Sequence, residues 1–181
     1  PRSAIADVDT AAAGRTVPRE FLGFVRGHPS SPALHSMSAD GGWNTWTLQE
    51  FADQVAKAAG GLAGAGVGAA ERVLLMMRNR PDFHWFDAAA QFLRATPVSI
   101  YNSSSPEEIE YLAGHAEARV AIVEDAGFLE RILKVRGELP ALERIYVIEP
   151  PEGPLPDGVV AAAELLDAAP ADLDALAALT E

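Results

Sequence analysis

Arg72-Val73-Leu74-Leu75-Met76-Met77 runs straight into Arg78-Asn79-Arg80-Pro81 and then into Asp82-Phe83-His84-Trp85-Phe86-Asp87. The first six residues are an unbroken apolar strand, which alternation would not produce, so both of its faces are covered. Pro81 fits the first turn of a helix, where a missing N–H costs nothing, and the helix is expected over 81–93. Strand, short polar loop and helix together make the first half of a βα unit. The same unit recurs downstream: strands at 97–101, 120–123 and 145–148, with helices at 106–115 and 127–136 between them. Unbroken apolar strands separated by amphipathic helices predict an α/β fold, a parallel sheet flanked by helices on both faces.

Upstream of that core the pattern differs. Thr16-Val17-Pro18-Arg19-Glu20 opens a short helix, and Ser30-Ser31-Pro32 ends it. Residues 33–37 and 43–46 alternate and flank Ala39-Asp40-Gly41-Gly42, which predicts a small N-terminal hairpin. Thr47-Leu48-Gln49-Glu50 is a capping box, so Thr47 starts a helix that ends in the glycine cluster at 64–68. Three regions follow: a flexible N-terminal arm at 1–16, an α/β subdomain at 17–149, and a connector with terminal helices at 150–181. The prolines of Glu149-Pro150-Pro151-Glu152-Gly153-Pro154-Leu155-Pro156 make the connector semi-rigid. Short helices are expected at 159–168 and 171–179, and Ile145–Ile148 is expected to be the last strand.

Composition narrows the function. The chain has 181 residues, 49% of them hydrophobic, enough for one domain with a proper core. Its net charge of −12 argues against a nucleic-acid or anionic-membrane surface. There is no cysteine, which removes disulfides, thiolate metal sites and cysteine nucleophiles. No apolar run approaches the ~18 residues of a membrane span. A cytoplasmic location is the simplest expectation. The chain begins with Pro1 rather than Met and is expected to be processed or cut.

Several letter patterns carry no site. Gly64-Ala65-Gly66-Val67-Gly68-Ala69 spells a dinucleotide loop, but it follows a helix and precedes a strand, the reverse of what a pyrophosphate needs. His28, His35, His84 and His115 form no ligand pair, and His84 with Asp87 offers too few ligands for a metal. Glu107, Glu108 and Glu110 lie in the first turns of a helix, where negative charge is favourable. No catalytic, cofactor-binding or metal-ligating residue is assigned on motif grounds. What remains comes from topology, because open parallel sheets bind ligands beyond the carboxyl ends of their strands. Those ends are Arg78-Asn79-Arg80, Tyr101-Asn102-Ser103-Ser104 and Glu124-Asp125. Two arginines beside Asn79 suit an anion, and Tyr101 to Ser104 suit a polar pocket. The alternative is that these are helix-capping loops, with Asn79 and Ser105 serving the following helices and Asp125 the next.

Taken in order, the segments resemble the adenylate-forming superfamily of acyl-CoA synthetases, luciferases and peptide synthetases. Thr45-Trp46-Thr47-Leu48-Gln49-Glu50-Phe51 is similar to its first core motif. Gly60-Gly61-Leu62, Gly66-Val67, Glu71-Arg72-Val73 and Arg78-Asn79-Arg80-Pro81-Asp82-Phe83 follow as in that family. Leu93-Arg94-Ala95-Thr96-Pro97-Val98 sits where that family has its second motif, and Ile100-Tyr101-Asn102-Ser103-Ser104-Ser105-Pro106-Glu107-Glu108 is similar to the corresponding segment of the long-chain fatty acid–CoA ligases. Asn102 stands for a common Pro, Thr96 for a usual Gly and Leu48 for a usual Tyr. The resemblance implies an N-terminal subdomain of an AMP-forming ligase. In such a ligase a carboxylate attacks ATP to give an acyl-adenylate and pyrophosphate, and coenzyme A takes the acyl group. ATP, Mg²⁺ and CoA would serve that parent enzyme, and none is expected on this fragment. The phosphate loop and the catalytic residues of the family lie beyond Glu181, so the fragment alone is expected to be inactive. Its expected partners are the rest of the adenylation domain, the fatty acid of the parent enzyme, and a second copy through an exposed apolar face. Peripheral contact with the inner membrane face would belong to the parent. Alternatives are an aryl-CoA ligase, a peptide-synthetase adenylation domain, or a stand-alone small α/β binding module.

Overall fold

A computed structural model describes residue 8 and residues 10–180. Most of the arm expected at 1–16 lies outside them, while residues 10–12 are helical. Helix α1 (Val17–Gly27) starts where Thr16 accepts from the Arg19 N–H. Strands β1 (Pro32–Met37) and β2 (Trp43–Thr47) pair antiparallel as the predicted hairpin. Helix α2 (Leu48–Gly64) carries the full capping box: Thr47 accepts from Glu50 N–H at 3.2 Å, and Glu50 accepts from Thr47 N–H at 2.8 Å.

The core alternates strand and helix: β3 (Arg72–Met76), α3 (Pro81–Phe92), β4 (Thr96–Ser99), α4 (Pro106–Ala116), β5 (Val120–Val123), α5 (Ala126–Val135) and β6 (Arg144–Val147). Two corrections follow in the last region. Residues 159–161 form strand β7 (Val159–Ala161), not the start of a helix, so β6 is not the last strand. The helix expected over 159–168 shrinks to α6 (Ala163–Leu166), and α7 (Leu173–Ala178) closes the described chain. The sheet has five strands in the order β4-β3-β5-β6-β7, every pair parallel.

Successive residues of each central strand enter opposite cores, as strand pleating requires. Val73, Leu75, Val120, Ile122 and Tyr146 join one cluster with α2 and α3, including Val55, Leu62 and Phe86. Leu74, Met76, Ala121, Val123 and Ile145 join the other with α4 and α5, including Ile109, Phe128 and Ile132. Helices therefore cover both faces. The chain leaves β3 toward β4 on one side and later passes β5 and β6 on the other. The strand order thus reverses direction between β3 and β5, which is where open α/β sheets form a crevice at their carboxyl edge.

Candidate functional site

The crevice between β3 and β5 is bridged by charge. Arg78 leaves the end of β3 and donates through its backbone N–H to Glu124 at 2.6 Å. Its guanidinium donates to Glu124 at 2.7 Å and to Asp125 at 2.8 Å. Arg80 donates to Asp82 and to Glu149, each at 2.8 Å, and lies 3.5 Å from Glu124. Glu124 is buried, yet three cationic or N–H donors surround it, which is what a buried carboxylate requires. The residues expected to face an anion are thus assembled, but two guanidinium groups meet four carboxylates: Asp82, Glu124, Asp125 and Glu149.

These contacts set the titration of the cluster. Partial burial pushes the Asp125 carboxyl up, but the Arg78 guanidinium and the N–H groups of Phe128 and Gly127 outweigh it and hold the group below the usual carboxylate range. Bonds to Asp125 and Glu124 raise Arg78 further above its ordinary value. Asp125 also caps α5, accepting from Gly127 N–H at 2.9 Å and Phe128 N–H at 3.1 Å.

The second expected group, Tyr101 to Ser104, is separate from the arginines' carboxylates. Tyr101 is 83% exposed. The Nη1 of Arg131 on α5 holds the loop by donating to the carbonyls of Asn102 at 2.7 Å and Ser104 at 3.1 Å. Both Arg131 and Arg78 sit over the Phe128 ring, at 4.6 and 5.0 Å, so one aromatic side chain locates both loops. Ser105 accepts from Glu108 N–H at 3.3 Å and caps α4. Asn79 does not cap α3: the cap position is Arg80, which makes no side-chain bond there, since Pro81 at N1 leaves fewer orphan N–H groups. Arg131, Glu149 and Asp82 were not singled out in the sequence, because their roles depend on contacts between distant segments.

The histidines serve structure. His35 bonds Thr45 across the hairpin at 2.9 Å, His115 stacks on Tyr111, and His28 ends α1. Burial pushes the Asp87 carboxyl up despite a bond from Gln91 and the nearby His84. Among the described residues no three His, Cys, Asp or Glu side chains are placed to hold a metal. The carboxylate excess at the crevice does not fit the phosphates of a nucleoside triphosphate: the guanidiniums that would pair with them are already paired. Among the described residues no helix is long and apolar enough to cross a membrane.

Known proteins resemble this chain in sequence and in fold. Long-chain-fatty-acid–CoA ligase FadD15 of Mycobacterium bovis is 33% identical over 115 residues, 64% of this chain but 19% of the ligase. Uncharacterized protein Rv1549 of Mycobacterium tuberculosis is 34% identical over 126 residues, 70% of each chain. Among solved structures, the anthranilate CoA ligase AuaEII bound to anthranoyl-AMP superposes with a TM-score of 0.67 at 27% identity, over 74% of this chain and 25% of that one. Coronafacic acid ligase of Pectobacterium brasiliense, in its R395G form, reaches 0.77 over 87% of this chain and 30% of that one, at an identity of 18% that speaks for the fold alone. The family model described as AMP-binding enzyme matches residues 22–180, nearly the whole chain, and the chain therefore belongs to the AMP-binding enzyme family.

Proposed function

We propose that this chain is the N-terminal portion of an AMP-forming fatty acid–CoA ligase, and that by itself it does not activate a carboxylate. One observation carries the reading: the family match fills residues 22–180, while the 115 residues that align with the FadD15 ligase span only 19% of that ligase. The parent would couple ATP, a long-chain fatty acid and CoA, with Mg²⁺ on the phosphates. Its cytoplasmic location, with peripheral contact at the inner membrane face, is part of the same proposal and rests on the chemistry of the substrate. The rest of the adenylation domain would supply the phosphate loop and the acid pocket. The role of residues 17–149 is then to hold a rigid sheet edge, with residues 150–181 leading onward and residues 1–16 as an arm.

Charge at the crevice supports the inactivity proposal beside the downstream phosphate loop. A transferring phosphate needs uncommitted cations and donors. Here Arg78 and Arg80 are neutralised by their own neighbours. Incubating the purified chain with ATP, Mg²⁺ and palmitate should release no pyrophosphate above the blank. Acid-dependent release would sink the inactivity proposal. The ligase reading is tested separately, by expressing the reading frame extended past Glu181. Pyrophosphate release dependent on a long-chain acid is expected. Turnover of benzoate or an amino acid instead would replace it with an aryl-CoA ligase or a peptide-synthetase domain.

A second reading has its own support. Rv1549 aligns over an equal 70% share of both proteins, so a chain of similar length carries this subdomain. That favours a stand-alone α/β module as the alternative, and a stop codon directly after Glu181 would select it.

A further inference from the structure

The last described helix is held by the first turn of α1. Helix α7 (Leu173–Ala178) has six residues, and like every helix it leaves its last carbonyls without partners inside it. Arg19 of α1 answers two of them: its Nε donates to the Ala177 carbonyl at 3.1 Å and its Nη2 to the Ala178 carbonyl at 3.3 Å. Its Nη1 donates to the Gly14 carbonyl at 3.0 Å. One planar guanidinium thus ties α1 to a helix end 158 residues away in sequence.

A second link lies beside it. Thr16 accepts from the Arg19 N–H at 3.4 Å, and its hydroxyl oxygen lies 2.6 Å from that of Thr180. Thr180 donates to the Ala177 carbonyl at 2.8 Å, so Thr16 is the donor to Thr180. Thr180 is buried, and this chain of bonds satisfies its hydroxyl. Helix α7 needs the support. Six residues do not hold a helix in water, and of its side chains Leu173 and Ala177 are the buried ones. The Arg26–Asp174 ion pair is exposed and contributes little.

We propose that Arg19 is a positioning residue: through this clasp it fixes where and in which direction α7 hands the chain on, and so places the phosphate loop that the parent ligase carries beyond Glu181. The loop's placement rests on the ligase reading; the clasp itself stands without it. Arginine suits the task because its rigid fork reaches three carbonyls at once, and a cation is favoured at a helix C-terminus.

Hydrogen exchange on the purified chain tests the clasp. In Arg19→Met the amides of residues 176–180 should exchange about tenfold faster or more, while those of β3 keep their rates. Arg26→Met removes only the exposed ion pair and should leave exchange as it is in the unaltered chain. Unchanged exchange in α7 of folded Arg19→Met overturns the clasp, as does an equal effect of Arg26→Met. Should Arg19→Met fail to fold, Thr180→Val keeps the volume, removes the link to Thr16 and decides the matter in the same assays. Loop placement is tested in the reading frame extended past Glu181. There Arg19→Met should raise the KM for ATP in pyrophosphate release about tenfold and lower kcat as well. An enzyme that is merely less stable would lose apparent kcat with the KM for ATP unchanged, and that outcome overturns the positioning role. No turnover by the unaltered extended chain overturns the ligase reading and the loop placement with it, while exchange still decides the clasp.

Discussion

Arg94 is, with Ala70 and Glu117, one of three non-glycine residues with a positive φ among the described residues. It has φ 59°, the left-handed region that costs a residue with a Cβ about 1–2 kcal/mol. It sits just past α3, where its N–H donates to the Gln91 carbonyl at 3.0 Å, and this turn lets Ala95 reach back to Ala90. The sequence comparison set Thr96 against the family's usual Gly, but Thr96 lies in β4 in extended backbone. The position that calls for glycine is Arg94, two residues earlier. Its side chain is exposed. Arg94→Gly should therefore stabilise the chain by about 0.5–1 kcal/mol in urea denaturation. A loss of stability would mean the left-handed turn is not the strained point. At Asp125 the expectation concerns pH. Its folded carboxyl titrates below the unfolded value of about 3.9, so the folded state binds fewer protons than the unfolded one in that window. Stability from this group is complete above about pH 4 and is lost as pH falls through the folded value. Asp125→Asn should keep the cap and flatten the acid side of the stability–pH curve below about pH 4. An unchanged curve would show that the Arg78 pairing does not favour the charged form.

Element packing turns on two glycines in α2. A Cβ on Gly60 would overlap the carbonyl of Ala169, and one on Gly61 would overlap Leu165 in α6. Helix α2 thus meets the last segment backbone to backbone, and Ala171 N–H donates to the Ala56 carbonyl at 2.9 Å. Gly61→Ala should cost about 1–3 kcal/mol by overpacking, measured as a lower midpoint in urea. Gly64→Ala, where a Cβ meets nothing within 4 Å, should cost nothing and serves as the control. Equal effects would mean that α6 yields freely. The capping box at Thr47, the Ser105-Pro106 start of α4 and the apolar runs of β3 and β5 were legible because each is a local pattern. Strand β7 was not. Val159-Val160-Ala161 is too short to show a period and continues into Ala162-Ala163-Glu164-Leu165-Leu166, which reads as one helix. It is a strand because it pairs with β6, a tertiary contact that propensity does not contain. The crevice was half legible for the same reason: topology brought Arg78, Arg80 and Glu124 together, but only the fold shows that they neutralise one another.

The whole molecule ends in an open edge at β4. Tyr101 at 83% exposure, Tyr111 at 70% and Leu112 at 38% lie beside it, an apolar face of the kind a partner covers. The strand itself is guarded. Thr96 N–H and Ile100 N–H donate toward β3, to Glu71 at 2.8 Å and Leu75 at 2.9 Å. By the two-residue period the amides of residues 97 and 99 face outward, and residue 97 is a proline with no N–H to offer. A second copy would then associate through side chains of the Tyr111 face rather than by extending the sheet. Sedimentation should show a mass that rises with concentration above the 19.1 kDa of one chain, and Tyr111→Glu should raise the dissociation constant about tenfold. Pro97→Thr restores an outward donor and should increase association in the same assay, even in the Tyr111→Glu background, because it opens a separate route along the strand. A single-chain mass at every concentration would remove the homodimer. Pro97→Thr without effect would show that the β4 edge is protected by something other than its missing amide.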